Sequence, residues 1–499
     1  MKAITTLFAF LLLFSFDFHA QTQGIAYPAV GKGVATTFVT DYHSLGINSS
    51  ALGWGNEYDK KFTSGSTEFN LGFYSDSLSS DKLRKLYKAI RQNGSDNGAD
   101  STAWAEQRQN AIDYLNSGVT MDFNFNWLGF SFQSEKLGGF AINVSENYSW
   151  YSRLNENTTD LIFNGRVANY FDSLTVVFGT DTSQIANTGN LSTDTLAAVI
   201  AGNANNPLSL SQFMDGTEIR FAWNRHYNFG YGRKVFGDRE KFALYAGIGG
   251  RFIQSMAMFN VEADGNNFYV YSSFNSNYDI DYGAIANSNP SNFLQSGNIP
   301  KPVGSGYGID LSVSAIFFDK LKVAAAVNNI GSVTYTRNVY SVKDPDSLVV
   351  QMDLAGLGSA NLTNSIYNLM EDGGIINLVG EEKYTLNNAA TYRLGASIEL
   401  GDRIRLGMDV VGPFNQDNPG SLQSPVFSFG GDIKPLKWLR LSMGYLGGGI
   451  YQHNMPVGVN FIFGGGTYEC GISSRDFLSF FLTDSKSISS AFGFARVRF

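Results

Sequence analysis

From Val119 onward the chain alternates apolar and polar residues with a period of two. Val119, Met121, Phe123, Phe125 and Trp127 share one side, and Thr120, Asp122, Asn124 and Asn126 share the other, the pattern of a strand with two unlike faces. After a turn at residues 134–139, Phe140, Ile142 and Val144 continue against Asn143 and Ser145, which makes a hairpin. A later run sets Ile219, Phe221, Trp223, Tyr227, Phe229 and Tyr231 against Glu218, Arg220, Asn224, His226 and Asn228. The clearest hairpin sets Tyr392, Leu394, Ala396, Ile398 and Leu400 against Arg393, Ser397 and Glu399, turns at Gly401-Asp402, and returns with Ile404, Leu406, Met408 and Val410 against Arg403, Arg405 and Asp409. Arg and Glu on the inner face of a small sandwich would be costly. They are natural where the polar face lines a wet lumen and the apolar face meets lipid. A soluble sandwich with its charges outward predicts the same alternation, so the connections have to decide.

Counted back from a last strand at 490–499, the links alternate in length. Residues 475–489 are long, 464–466 short, 447–456 long, 434–437 short, 412–424 long and 401–402 short. Upstream, 341–388 is long, 318–320 short, 261–305 long, 234–240 short, 172–216 long and 153–158 short. Short turns at one end and long loops at the other are the habit of outer-membrane barrels. The expected fold is therefore all-β, a transmembrane antiparallel β-barrel of about 14 strands over residues 119–499. Its candidate lumen-facing residues are Glu218, Arg220, Asn224, Arg393, Glu399, Arg403 and Arg405. Two details do not fit: the 134–139 link is short yet falls on the long-loop side, and the strand-like residues 68–73 are left over, to pair with the wall or sit inside.

The preceding residues differ in kind. Residues 1–20 read as a signal peptide, with Lys2 as the charged start and a short apolar core over residues 4–16. Residues 21–118 form an N-terminal plug-like and helical segment. Within it, residues 31–54 carry Gly31, Gly33, Gly46 and Gly53 at irregular spacing with no sustained alternation, the texture of a plug lying in or against the barrel. Leu83, Leu86, Tyr87 and Ile90 follow helical spacing behind Ser80 and Asp81 as capping candidates. They fit a plug or periplasmic-side element, or equally a soluble helical hairpin at the rim.

Composition narrows the function. The chain has 499 residues with 40 Phe, 25 Tyr and 54 Gly, and only 16% are charged; mean hydropathy is −0.11. That suits strands with one apolar and one polar face, whereas a helical membrane protein needs runs of about 20 apolar residues. A net charge of −8 gives no basic footprint for nucleic acid. The single Cys470 and the scattered His19, His43, His226 and His453 lack metal-ligand spacing, so neither metal nor cofactor is expected. There is no Gly-x-Ser-x-Gly elbow, P-loop or His-Glu-x-x-His, and a non-enzymatic role is expected. A final alternating strand ending in Phe499 resembles the signal read by the outer-membrane assembly machinery, which with outer-membrane lipid is an expected partner; other outer-membrane proteins are possible partners.

Four stretches resemble an uncharacterised family of Bacteroidota outer-membrane proteins that is itself similar to long-chain fatty-acid transporter (FadL-like) barrels. They are residues 31–54 (GKGVATTFVTDYHSLGINSSALGW), 126–140 (NWLGFSFQSEKLGGF), 225–231 (RHYNFGY) and 469–477 (ECGISSRDF). The resemblance implies a barrel in the outer membrane of a Gram-negative bacterium, with Gly31, Gly33, Asp41, Asn48 and Leu52 as a candidate plug motif. The transporters carry an Asn-Pro-Ala-Gly-Leu signature where this chain has Asn48-Ser49-Ser50-Ala51-Leu52, keeping the Asn and Leu and lacking the Pro. Two functions follow: a channel or transporter for hydrophobic or small solutes, or a non-catalytic, partner-binding component of an outer-membrane assembly or secretion complex.

Overall fold

A computed structural model describes residues 26–77, 79, 109–110, 112–189, 191–278, 280, 282–294, 300–342, 378–449, 451–481 and 486–499. The expected signal peptide and the helical spacing from Leu83 to Ile90 lie outside the described residues. Fourteen strands close into one antiparallel ring. In chain order they are β1 (Phe62–Ser75), β2 (Val119–Ser134), β3 (Gly138–Arg153), β4 (Glu218–Asp238), β5 (Phe242–Ala263), β6 (Gly304–Phe317) and β7 (Leu321–Tyr335). They continue as β8 (Thr391–Leu400), β9 (Ile404–Pro413), β10 (Val426–Leu436), β11 (Leu439–Gly448), β12 (Val457–Phe463), β13 (Tyr468–Ser474) and β14 (Ser487–Arg498). Each pairs with its sequence neighbour, and β1 closes the ring against β14, with Phe69 opposite Phe125 on one side and Phe492 on the other. Closure satisfies every edge and rules out the open sandwich.

The exterior is apolar. Phe229, Leu394, Met408, Met443 and Phe494 are each more than half exposed, while their neighbours Asn228, Arg393 and Asp409 turn inward. A soluble protein rarely presents so continuous an apolar surface; hydrocarbon is its matching solvent. Aromatic pairs mark both rims: Trp438 stacks on Phe461 and Phe62 on Phe499 at the short-turn end, and Tyr148 stacks on Trp223 at the other. Among the described residues no helix is long and apolar enough to cross a membrane.

The wall differs from the expected one in two places that correct each other. It begins at Phe62, so the barrel boundary expected at residue 119 is too late. Residues 159–171 hold no wall strand: Asn155 caps a helix over Glu156–Asn164 by accepting from the Thr158 N–H at 2.8 Å, and Gly165 ends it at φ 55°. With β1 counted and that strand removed, the 134–138 turn moves to the short-turn end and every connection there is short. Residues 68–73, strand-like in sequence and left over by the count, are part of β1 and pair with the wall on both sides; period two did not carry back to Phe62 because of a bulge where Thr67 sits at φ 56°, opposite a break in register between Asn126 and Leu128. The bulge shifts which residues face inward, from Thr63 and Gly65 to Glu68 and Asn70.

At the long-loop end, residues 154–217 make a small subdomain. A three-stranded sheet (Ser173–Phe178, Asp181–Ala186, Val199–Asn203) buries Phe171, Leu174, Val176 and Val199 with Leu210 and Phe213 against Val261 and Val270 of the wall extension.

Candidate functional site: a plugged lumen

Residues 26–54, ahead of β1, lie inside the barrel. A short helix at Tyr27–Val30 and two 3-10 turns, Tyr42–Ser44 and Ser49–Trp54, thread the half of the lumen nearer the short turns. The wall is cut back to receive them. Lumen-facing glycines stand where the plug backbone touches: Gly139 and Gly232 meet Leu52 and Ser49, Gly247 meets Ser50, and Gly430 and Gly444 meet Lys32. A Cβ on Gly31 would lie 2.5 Å from the Gly458 Cα, so neither residue has room for a side chain.

Polar contacts hold the plug. Lys32 Nζ reaches Asp432 at 2.5 Å, and Arg405 shares that carboxylate at 3.0 Å. The Ala35 and Thr36 N–H groups donate to Asp409 at 2.6 and 2.8 Å. Asp41 pairs with Arg496, whose Nε donates at 3.0 Å. Glu68 accepts from Tyr42 at 2.5 Å and from Asn126 at 2.9 Å and meets His43 Nε2 at 2.9 Å. The Trp54 indole N–H donates to Ser314 at 2.9 Å.

Charge placement perturbs these groups. Burial would lift Asp41, but Arg496 and His43 outweigh it and hold it well below the usual carboxylate range. Burial would depress His43, but Glu68 and Asp41 raise it above its usual value. Lys32 falls to about 8, because burial and the cations Arg405 and Arg440 outweigh Asp432.

The candidate plug motif is thus inside the lumen. Gly31 meets Gly458, Gly33 turns at φ 73°, Asn48 donates to the Thr36 carbonyl at 2.8 Å, and Leu52 is buried with its carbonyl accepting from Gln133 at 3.1 Å. Of the lumen candidates, Glu218 and Arg220 pair with each other at the long-loop rim, Asn224 and Arg393 line the cavity described next, Glu399 meets Lys322 at 2.5 Å, and Arg405 holds Asp432. Arg403 is a correction: β9 starts only at Ile404, so Arg403 is exposed in the short turn, where its carbonyl accepts from the Lys434 N–H. Alternation cannot locate the residue at which a strand stops.

Above the plug lies a polar cavity of about 180 Å³. Its floor is Ala26 and residues 42–47; its roof is residues 386–389 with Pro419 and Gly420. Asparagine is the commonest wall residue: Asn126 from β2, Asn143 and Asn147 from β3, Asn224 and Asn228 from β4, and Asn328 and Asn329 from β7, with Asn387 and Asn388 from the roof. Bulges ring this level. Besides the one at Thr67, register breaks between Trp223 and Asn224, and Asn329 at φ 62° lets two successive residues of β7 face inward. Sequence reading missed Lys32, Tyr42, His43, Glu68, Asp432 and Arg496 as site residues. The available signal was the run of small polar residues at alternate positions of β3 and β4, which reads as a wet face without revealing that the face encloses a site.

Fold and site together define a closed, membrane-type β-barrel with a folded-in plug. The chain belongs to the family of unknown function DUF5723, whose profile matches residues 55–467. Solved structures similar to it include the toluene transporter TbuX of Ralstonia pickettii (9% identity over 96% of this chain and 99% of that one, TM-score 0.44). Others are the toluene transporter TodX of Pseudomonas putida (10%, 97% and 98%, TM-score 0.39) and a FadL homologue of Pseudomonas aeruginosa (11%, 97% and 99%, TM-score 0.40). No curated protein matches the sequence.

Proposed function

We propose that the protein is a channel or transporter in the outer membrane of a Gram-negative bacterium, held shut at rest by residues 26–54, and that its cargo is hydrophobic or small. The carrying observation is a cavity lying directly on a plug that is tied by ion pairs and hydrogen bonds. Such ties can be exchanged for water with modest net cost, so a polar plug can move where an apolar core could not. The apolar exterior and the short-turn, long-loop asymmetry support the location. Deleting residues 26–54 while keeping the residues before them tests the reading. Ion conductance in planar bilayers is expected to rise, since a barrel of about 14 strands conducts once emptied; unchanged conductance from a folded, inserted barrel overturns it.

A second reading, a partner-binding component of an assembly or secretion complex, is favoured by the outer subdomain. There Phe178, Leu196 and Ile200 stand exposed beyond the lipid-facing belt. Native complexes isolated in mild detergent would contain a stoichiometric second protein on this reading and none on the first.

A further inference from the structure

We infer that the cavity above the plug binds a small, uncharged, hydroxyl-rich solute. The inference rests on the transport reading and names its cargo. Nine of the lining residues are asparagine, and an amide carries both a donor and an acceptor without charge. Two of the ionised groups there are already engaged, Glu68 by Tyr42, His43 and Asn126 and Arg251 by Asp310 at 3.1 Å, while Arg393 lines the cavity with its Nε unpartnered. What remains is chiefly amide capacity, with two guanidinium N–H groups beside it. Asn126 spends its amide N–H on Glu68 and Asn329 spends its own on the Ala389 carbonyl at 3.3 Å. Their Oδ1 atoms, like that of Asn224, are left without a protein partner, as are Arg251 Nε and Arg393 Nε. Asn126 is only 1% exposed and Arg393 5%, so these vacancies are buried, on residues that line the cavity.

Acceptors and donors left open around one cavity match hydroxyl groups, each of which gives one hydrogen bond and takes others. Hydrocarbon would strip water from these groups and return no bond. A cation would find Glu68 already paired, and an anion would find only the deeply buried Arg393. Size points the same way: about 180 Å³ lies below the roughly 300 Å³ at which drug-sized sites begin, and suits a molecule of monosaccharide dimensions.

The test separates binding from passage. Equilibrium dialysis of the intact protein in detergent uses radiolabelled glucose, with toluene and acetate as apolar and charged comparators; uptake is followed in parallel in liposomes. Saturable glucose binding is expected, weakened about tenfold or more by Asn224→Leu and by Asn143→Leu, because a site built for hydrogen bonds rejects a partner it cannot pair. Heat-modifiable migration of each variant shows that the barrel is intact. Toluene binding without glucose binding overturns the inference, as does the absence of saturable binding, the result a merely water-filled lumen would give. Glucose bound but never taken up, with or without the plug, leaves the inference standing and overturns the transport reading.

Discussion

The wall glycines permit an experiment that leaves both plug sequence and lipid face untouched. Gly232 and Gly247 are paired across β4 and β5, and both meet the Ser49–Trp54 turn: a Cβ on Gly232 would strike the Ser49 carbonyl, and one on Gly247 would come within 2.6 Å of the Ser50 Cα. Gly232→Ala combined with Gly247→Ala therefore wedges the plug off the wall. Overfilling a packed site costs about 1–3 kcal/mol; the two sites share one obstruction, so their effects do not simply add. If the docked plug bears that cost, the ratio of docked to released plug falls by about 5- to 150-fold. Two readouts follow it: conductance of single barrels in planar bilayers, expected to show more frequent openings, and protease cleavage within residues 26–54, expected to accelerate by a similar factor. Gly72→Ala is the control, because nothing lies within 4 Å of a Cβ there. If the double variant stays as quiet and as protease-resistant as the control while folding normally, the plug is a fixed part of the wall.

Phe229 is 53% exposed midway along β4, so Phe229→Arg should cost about 2–4 kcal/mol of insertion and deplete the heat-modifiable form; Phe221→Arg, at the rim beside Trp150 and Phe274, should cost about 1 kcal/mol or less. Plug docking should weaken as pH rises above 6.5, because His43 is raised when docked and its contribution, complete below that value, is lost as it deprotonates. Lys32 acts oppositely and later, favouring docking as pH climbs from about 8 to 10.5, so a protease-sensitivity profile between pH 6.5 and 8 belongs to His43 and should flatten in His43→Gln. Asp41→Asn should loosen the plug by less than the cost of a buried charge left alone, about 3–5 kcal/mol, because Glu469 stays 3.1 Å from Arg496; conductance should rise, and an unchanged conductance would mean that the Asp41 contact does not hold the plug.

The hairpin of β8 and β9 was legible from sequence because Thr391 to Leu400 pairs with Ile404 to Pro413 without a break in register, so period two maps faithfully onto the two faces. β1 was legible only in its second half, residues 68–73, because the alternation of buried residues reverses at Thr67 midway through the strand. The stretch 159–171 misled for a different reason: its apolar residues serve the core of the outer subdomain, with Leu161 and Phe171 buried there, and local capping overrode the expected strand. The texture of residues 31–54 pointed to a plug, but its anchors were out of reach. Asp432 and Asp409 read simply as polar positions on strands, and nothing near them in sequence announces Lys32 or Thr36.

The Asp41 to Arg496 contact joins residues 455 positions apart, and Arg496 belongs to the strand that also seals the ring against β1. Ring closure and plug capture therefore use the same strand. Contacts so distant form late, since the chain must first bear the entropy of bringing the two ends together. An assembling barrel missing β14 would be an open sheet that also lacks one of the ion pairs holding the plug. On the channel reading, the strand that seals the ring also brings one of the plug's ion pairs with it.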